Sequence, residues 1–201
     1  KYHMFYQYNP NDIVWGPMHW GHAVSQDLIH WQEQGIALKP DELGQIFSGS
    51  AVLDSENTAG FQQDDEDVLV AIFTHHEENN EKQSIAYSND NGETWHKYEN
   101  NPVINKPGLS DFRDPKVFWH HDTNRWILLL ACGDHIRFYS SPNLKEWHYL
   151  SSFGDGYGSK EGVWECPDLI HLTIDGEDKQ KWALTVNINP GGPNEGSAVM
   201  Y

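Results

Sequence analysis

Ser25-Gln26-Asp27-Leu28-Ile29-His30-Trp31 is echoed by Ser88-Asn89-Asp90-Asn91-Gly92-Glu93-Thr94-Trp95 and again by Ser141-Pro142-Asn143-Leu144-Lys145-Glu146-Trp147. Each copy follows a β-rich run closing on serine: Ala23-Val24-Ser25, Ala86-Tyr87-Ser88 and Phe138-Tyr139-Ser140. The tryptophans stand 64 and 52 residues apart, at positions 31, 95 and 147. A strand, a polar turn and a tryptophan that packs back over it, recurring every 50–60 residues or so, is the pattern of a four-stranded propeller blade.

The rest of the chain agrees. Short β-rich runs occupy Met4–Tyr8, Ala51–Leu53, Val68–Thr74, Ser84–Ser88, Lys116–His120, Trp126–Ala131, Ile136–Ser140, Asp168–Thr173 and Lys181–Ile188. Turn-prone clusters such as Asn9-Pro10-Asn11-Asp12, Asp122-Thr123-Asn124-Arg125 and Asp175-Gly176-Glu177-Asp178 separate them. No apolar stripe holds helical spacing for three turns, so the fold class is all-β. At that period the chain supplies about three and a half blades, whereas propellers close with roughly four to eight. An open ring exposes strand edges. The expectation is therefore a partial propeller, residues 1–201 being a piece of a longer protein.

Composition narrows the partners. An apolar fraction of 38% and a net charge of −17 resemble a disordered chain, but 9 Trp, 9 Tyr and 8 Phe do not. A surface this negative repels phosphate, which argues against nucleic acid and anionic membranes. The longest apolar run, Trp126 to Cys132, is seven residues, far short of a membrane span. Two cysteines build neither a disulfide framework nor a four-cysteine zinc site, and Cys132 reads as a small core residue. Of the twelve histidines, the adjacent pairs His75-His76 and His120-His121 read as turn residues, so no metal or other cofactor is expected.

Propeller ligands bind where the inner strands converge, so site residues should recur near the start of each blade. Four clusters qualify: Phe5-Tyr6-Gln7-Tyr8-Asn9-Pro10 with Trp15-Gly16-Pro17; Phe47-Ser48-Gly49-Ser50; Phe112-Arg113-Asp114-Pro115; and Trp164-Glu165-Cys166-Pro167-Asp168. The acidic runs Asp64-Asp65-Glu66-Asp67 and Glu77-Glu78 read as solvated loops. Asp114 and Glu165 differ, each with an aromatic residue one or two positions before it and proline one or two positions after it, at the mouth of a strand. Such a setting raises a carboxyl pKa and permits general-acid work. Two such carboxyls among rings suggest glycoside chemistry, because sugar faces stack on rings and acetals need a proton donor. The spacing leaves open that Arg113–Asp114 is only a structural ion pair.

In this order, Tyr2-His3-Met4-Phe5-Tyr6-Gln7-Tyr8-Asn9-Pro10, Trp15-Gly16-Pro17-Met18-His19-Trp20-Gly21-His22-Ala23, Phe47-Ser48-Gly49-Ser50-Ala51, Phe112-Arg113-Asp114-Pro115-Lys116 and Trp164-Glu165-Cys166-Pro167-Asp168 resemble the signatures of glycoside hydrolase family 32. Its members are invertases, levanases and exo-inulinases. The closing Asn187-Ile188-Asn189-Pro190-Gly191-Gly192-Pro193-Asn194 is similar to the levanase and exo-inulinase side. The resemblance implies a five-bladed propeller followed by a β-sandwich that this chain does not contain, and hydrolysis of terminal β-D-fructofuranosides with retention. It gives Glu165 the role of acid and then base, and Asp114 the role of holding fructose hydroxyls and opposing the developing cation. Arg113 would orient both carboxylates and lower the pKa of Asp114. Gln7 and Ser48 would bond sugar hydroxyls, Trp15 and Phe47 would wall the pocket, and Cys166 would tune the acid beside it.

The family's nucleophile is the Asp of an Asn-Asp-Pro-Asn-Gly motif just upstream of the Tyr-His-x-Phe-Tyr-Gln segment. Here that segment begins at Tyr2, so the motif would precede Lys1 and residues 1–201 alone are expected to be inactive. The partner implied is a fructose-containing oligo- or polysaccharide, and the implied location of the enzyme is outside the cell. Two alternatives use the same residues: a fructosyltransferase, and a carbohydrate-binding propeller without catalysis.

Overall fold

A computed structural model describes residues 1–106, 108–191 and 198–200. Four antiparallel sheets follow one another along the chain. The first holds β1 (Tyr2–Tyr8), β2 (His19–Ser25) and β3 (Trp31–Leu38). The second holds β4 (Gln45–Asp54), β5 (Val68–Glu77), β6 (Asn80–Ser88) and β7 (His96–Lys97), with β8 (Ile104–Asn105) also on β6. The third is β9 (Phe112–His120), β10 (Arg125–Cys132), β11 (His135–Ser141) and β12 (His148–Phe153). The fourth is β13 (Val163–Thr173), β14 (Gln180–Asn189) and β15 (Ala198–Met200). The only helical turn among the described residues is a short 3₁₀ segment, His121–Thr123. The sheets form an arc of propeller blades that does not close into a ring.

The apolar runs are long because a blade's middle strands are covered on both faces. Along β10, Trp126, Leu128, Leu130 and Cys132 join a core with Val70, Ile72 and Ile85 of the second sheet. The alternate residues Leu129 and Ala131 join Trp164, Leu184, Val186 and Ile188 of the fourth. On β5, Val68, Val70 and Ile72 face one way, while Ala71 and Phe73 pack with Trp20, Leu38 and Ile46 toward the first sheet. Three cores thus lie between four sheets, and β5 and β10 each serve two of them through the alternation of successive side chains.

The repeated turn is built the same way three times. The serine Oγ accepts a backbone N–H: Leu28 to Ser25 (2.9 Å), Gly92 to Ser88 (2.8 Å) and Asn143 to Ser141 (3.1 Å). The acid or amide two residues on accepts further N–H groups, from His30 at Asp27 (2.8 Å), Thr94 at Asp90 (2.9 Å) and Glu146 at Asn143 (2.9 Å). Each tryptophan Nε1 then donates to the carbonyl three residues back, at Leu28 (3.1 Å), Gly92 (3.2 Å) and Leu144 (3.0 Å). Those three residues have left-handed backbone, with φ of 65°, 88° and 62°. The third strand ends at Ser141, one residue later than its sequence suggests, so Ser141 takes the serine role.

Two sequence expectations change. The pair His75-His76 lies within β5, not in a turn, and the two rings point to opposite faces: His75 is buried and bonds Ser84 Oγ (2.8 Å), while His76 is half-buried and bonds Glu81 (3.2 Å). Strands β3 and β12 escaped notice because, as outer strands, they carry no apolar alternation: β12 is almost wholly exposed, and β3 runs through the polar stretch Gln32-Glu33-Gln34. Leu128 is wholly buried between two sheets. Leu128→Ala should lower the unfolding free energy by about 2–5 kcal/mol, and Leu150→Ala on exposed β12 by less than about 0.5 kcal/mol, both read from denaturant midpoints.

Candidate active site

The inner strands β4, β9 and β13 share one irregularity at one level. On β4, Phe47 and Ser48 lie between the pairs Ile46–His75 and Gly49–Phe73. On β9, Asp114 and Pro115 lie between Arg113–Ala131 and Lys116–Leu129. On β13, Cys166 and Pro167 lie between Glu165–Asn187 and Asp168–Thr185. In each case two residues face one across the ladder, a β-bulge that bends the strand and re-aims its side chains. Asp114 and Cys166 sit at φ 63° and 47°, a left-handed conformation that is costly for residues bearing a Cβ.

The bulges, with the β1 end and the loop after it, bring Gln7, Trp15, Phe47, Ser48, Arg113, Asp114, Glu165 and Cys166 around one cavity of about 240 Å³. Every site residue read from the sequence therefore lines the same space. Trp15 is presented by a loop that Asn9 holds through Nδ2 to Val14 O (2.9 Å) and Gly16 O, and its ring meets Phe47 edge-on at 5.7 Å. Glu165 follows Trp164, whose buried ring lies in the core between the third and fourth sheets and whose backbone N–H bonds Gly133 O at 2.7 Å.

Arg113 ties the carboxylates together, but not to its sequence neighbour. Its Nη2 donates to Glu165 Oε1 at 3.0 Å, while Nη1 donates to Asp111 Oδ1 at 2.7 Å and Glu81 Oε1 at 3.2 Å. No Arg113–Asp114 ion pair forms among the described residues. Burial works against the guanidinium charge, yet these carboxylates push its pKa above the ordinary value. Asp114 instead accepts from Cys166, the backbone N–H at 2.9 Å and Sγ–H at 3.5 Å on the same Oδ2.

This corrects two expectations. Arg113 does act to lower the Asp114 pKa, but burial of a side chain only 7% exposed outweighs it, and the net shift is upward. Cys166 bonds Asp114, not Glu165. Its thiol is pushed up to about 12, by desolvation first and then by the Asp114 carboxylate, so the sulfur is a donor and not a thiolate nucleophile.

A supporting layer lies behind these residues. The Asp114 N–H donates to Thr74 Oγ1 (3.1 Å), Thr74 Oγ1 to Gln83 Oε1 (2.7 Å), and Gln83 Nε2 to Phe112 O (2.7 Å), all buried. Glu81, 7% exposed, holds both Arg113 and His76, and the His76 ring stacks on Phe47 at 4.2 Å and 3°. Sequence reasoning missed Thr74, His76, Glu81, Gln83 and Asp111. Glu81 and Gln83 sit in the polar run Asn80-Glu81-Lys82-Gln83, which looks like an exposed hairpin. The legible signal was their period-two spacing opposite His76 and Thr74. Among the described residues, no three His, Cys, Asp or Glu converge as metal ligands.

The whole chain, residues 1–201, matches the model of the glycosyl hydrolases family 32 N-terminal domain. It is 55% identical to a levanase of Bacillus subtilis over 202 residues, all of this chain and 30% of that protein. It is 44% identical to an extracellular exo-inulinase of Meyerozyma guilliermondii, covering all of this chain and 40% of that protein. A Schwanniomyces occidentalis fructofuranosidase, solved with fructose, superposes with TM-score 0.90 at 45% identity, over 98% of this chain and 40% of that one. An Aspergillus awamori exo-inulinase gives 0.91 at 41%, over 99% and 44%. The chain thus spans less than half the length of these relatives.

Burial raises the Asp114 pKa, so the folded chain holds that proton to higher pH than the unfolded chain does. The native state is therefore penalised as pH rises above the ordinary carboxyl value of 3.8. Asp114→Asn should raise the denaturation midpoint at pH 7 and lose that gain toward pH 3. An unchanged or lower midpoint at pH 7 would show that burial is not the dominant influence.

Proposed function

Since this chain belongs to glycosyl hydrolase family 32, as part of its N-terminal domain, we propose that the complete protein hydrolyses terminal β-D-fructofuranosides with retention, and that residues 1–201 form an incomplete catalytic propeller cut at both ends. The observation that carries this reading is the cavity itself, two carboxyl groups and one arginine enclosed by Trp15 and Phe47 in a volume suited to a single sugar ring. The complex of the Schwanniomyces enzyme with fructose supports it.

In this reading Glu165 protonates the glycosidic oxygen as it leaves and then takes a proton from the attacking water. Arg113 is already matched by Asp111 and Glu81, so its bond to Glu165 aims the carboxyl group. Asp114, held by Cys166, accepts from fructose hydroxyls and opposes the positive charge that develops at the anomeric carbon. Gln7 and Ser48 bond the remaining hydroxyls. The covalent step needs a second carboxylate roughly 5–5.5 Å from the acid, and we place it upstream of Lys1, on a strand inside β1. The substrate is a fructose-containing oligo- or polysaccharide, and the extracellular label of the exo-inulinase relative supports secretion.

In the complete protein, Glu165→Gln should cut kcat on sucrose or fructan by about 10²–10⁴-fold while fructose binding persists in calorimetry. A carbohydrate-binding propeller would show no turnover to lose. Residues 1–201 alone, incubated with sucrose or inulin, should release no fructose above background.

A further inference from the structure

A second cavity, of about 650 Å³, lies at the opposite end of the inner strands, between the second and third sheets. Asp54, on its wall, is six residues beyond Ser48 along β4, about 20 Å away at roughly 3.3 Å per residue. Its volume falls within the roughly 300–1,000 Å³ of small-molecule sites.

The floor is aromatic and fixed. Trp119 of β9 and Trp126 of β10 are cross-strand partners whose rings meet edge-on at 5.1 Å. Trp126 is buried and donates Nε1 to Thr58 Oγ1 at 2.8 Å. The Asp54 carboxylate is occupied by Thr58 N–H (2.9 Å), Thr58 Oγ1 (2.9 Å) and Ala59 N–H (2.8 Å), so the loop carrying Thr58 is pinned. Trp119 is half-buried, with a ring open to the cavity and an indole N–H that has no partner among the described residues.

The rim is polar and unspent. Ser55, Glu56, His121 and Asn124 are exposed, line the cavity, and make no side-chain hydrogen bond or ion pair among the described residues. Together they offer a hydroxyl, a carboxylate, an imidazole and an amide above a flat ring. That combination suits a neutral polyol ring, whose C–H face packs on an indole while its hydroxyls both donate and accept. An anionic ligand would meet Glu56 and a chain of net charge −17. We infer that this cavity is a second saccharide site, taking one or two units of a neutral oligosaccharide away from the Glu165 cavity.

The inference stands apart from any catalytic role of Glu165, and calorimetry separates the two. The complete protein carrying Glu165→Gln is titrated with inulin-type and levan-type trisaccharides, maltotriose, inorganic phosphate and tetramethylammonium. One event at the Glu165 cavity and a second, weaker one for the neutral saccharides are expected. Trp119→Ala should weaken only the second, by about tenfold for the lost ring contact. Asn124→Gly keeps the left-handed backbone (φ 49°) and so the fold, and should weaken the same event about threefold or more by removing the amide. No second event, a second event indifferent to both substitutions, or one produced by phosphate or tetramethylammonium and not by the sugars overturns the assignment.

Discussion

One guanidinium organises the site. Arg113 reaches Asp111 on its own strand's approach, Glu81 on the blade before its own and Glu165 on the blade after. Together with the Asp114–Thr74, Gln83–Phe112 and Cys166–Asp114 bonds, it ties three sheets to one another at the level where the chemistry is proposed to occur. The pairing is charge-assisted and enclosed, with Arg113 15% and Glu81 8% exposed in their side chains, so solvent screens it far less than a surface bridge. An arginine is suited to this because its rigid fork serves several carboxylates at once.

The three bulges supply what the arginine alone could not. A regular strand would send adjacent side chains to opposite faces, into the two flanking cores. An extra residue at Phe47-Ser48, Asp114-Pro115 and Cys166-Pro167 interrupts that alternation and turns polar groups toward the shared cavity. The strained φ values of Asp114 and Cys166 are held by the Cys166–Asp114 bonds and by the Thr74–Gln83 chain beneath. The same enclosure is what desolvates Asp114 and raises its pKa.

Much of this was legible in the sequence because the signals were periodic or concentrated. The serine-to-tryptophan repeat disclosed blades before any strand was seen, and a carboxyl set between an aromatic residue and proline marked Asp114 and Glu165. What stayed hidden was hidden for physical reasons. The partners of Arg113 could not be read from adjacency, because a bulge turns Asp114 away from it. Glu81 and Gln83 are buried polar groups in a polar run, and composition alone does not separate a satisfied network from a solvated hairpin. The outer strands lack alternation because β12 is exposed along nearly its whole length and the exposed residues of β3, Gln32, Glu33 and Gln34, are consecutive. Gly192, Pro193 and Asn194, from the motif that suggested a levanase-like end, lie outside the described residues, while Asn187, Ile188 and Asn189 finish β14.

The middle strand of each inner blade belongs to two cores at once, and this links the blades mechanically. Leu128 and Leu129 are sequence neighbours pressed into different interfaces. Interiors this dense yield little and transmit strain, so a change of volume on one side of β10 is passed on through the third sheet. That sheet carries β9, and with it Asp114, opposite Glu165 on β13. Apolar substitutions far from the Glu165 cavity can therefore alter the spacing of the two carboxyl groups without touching a residue that lines it.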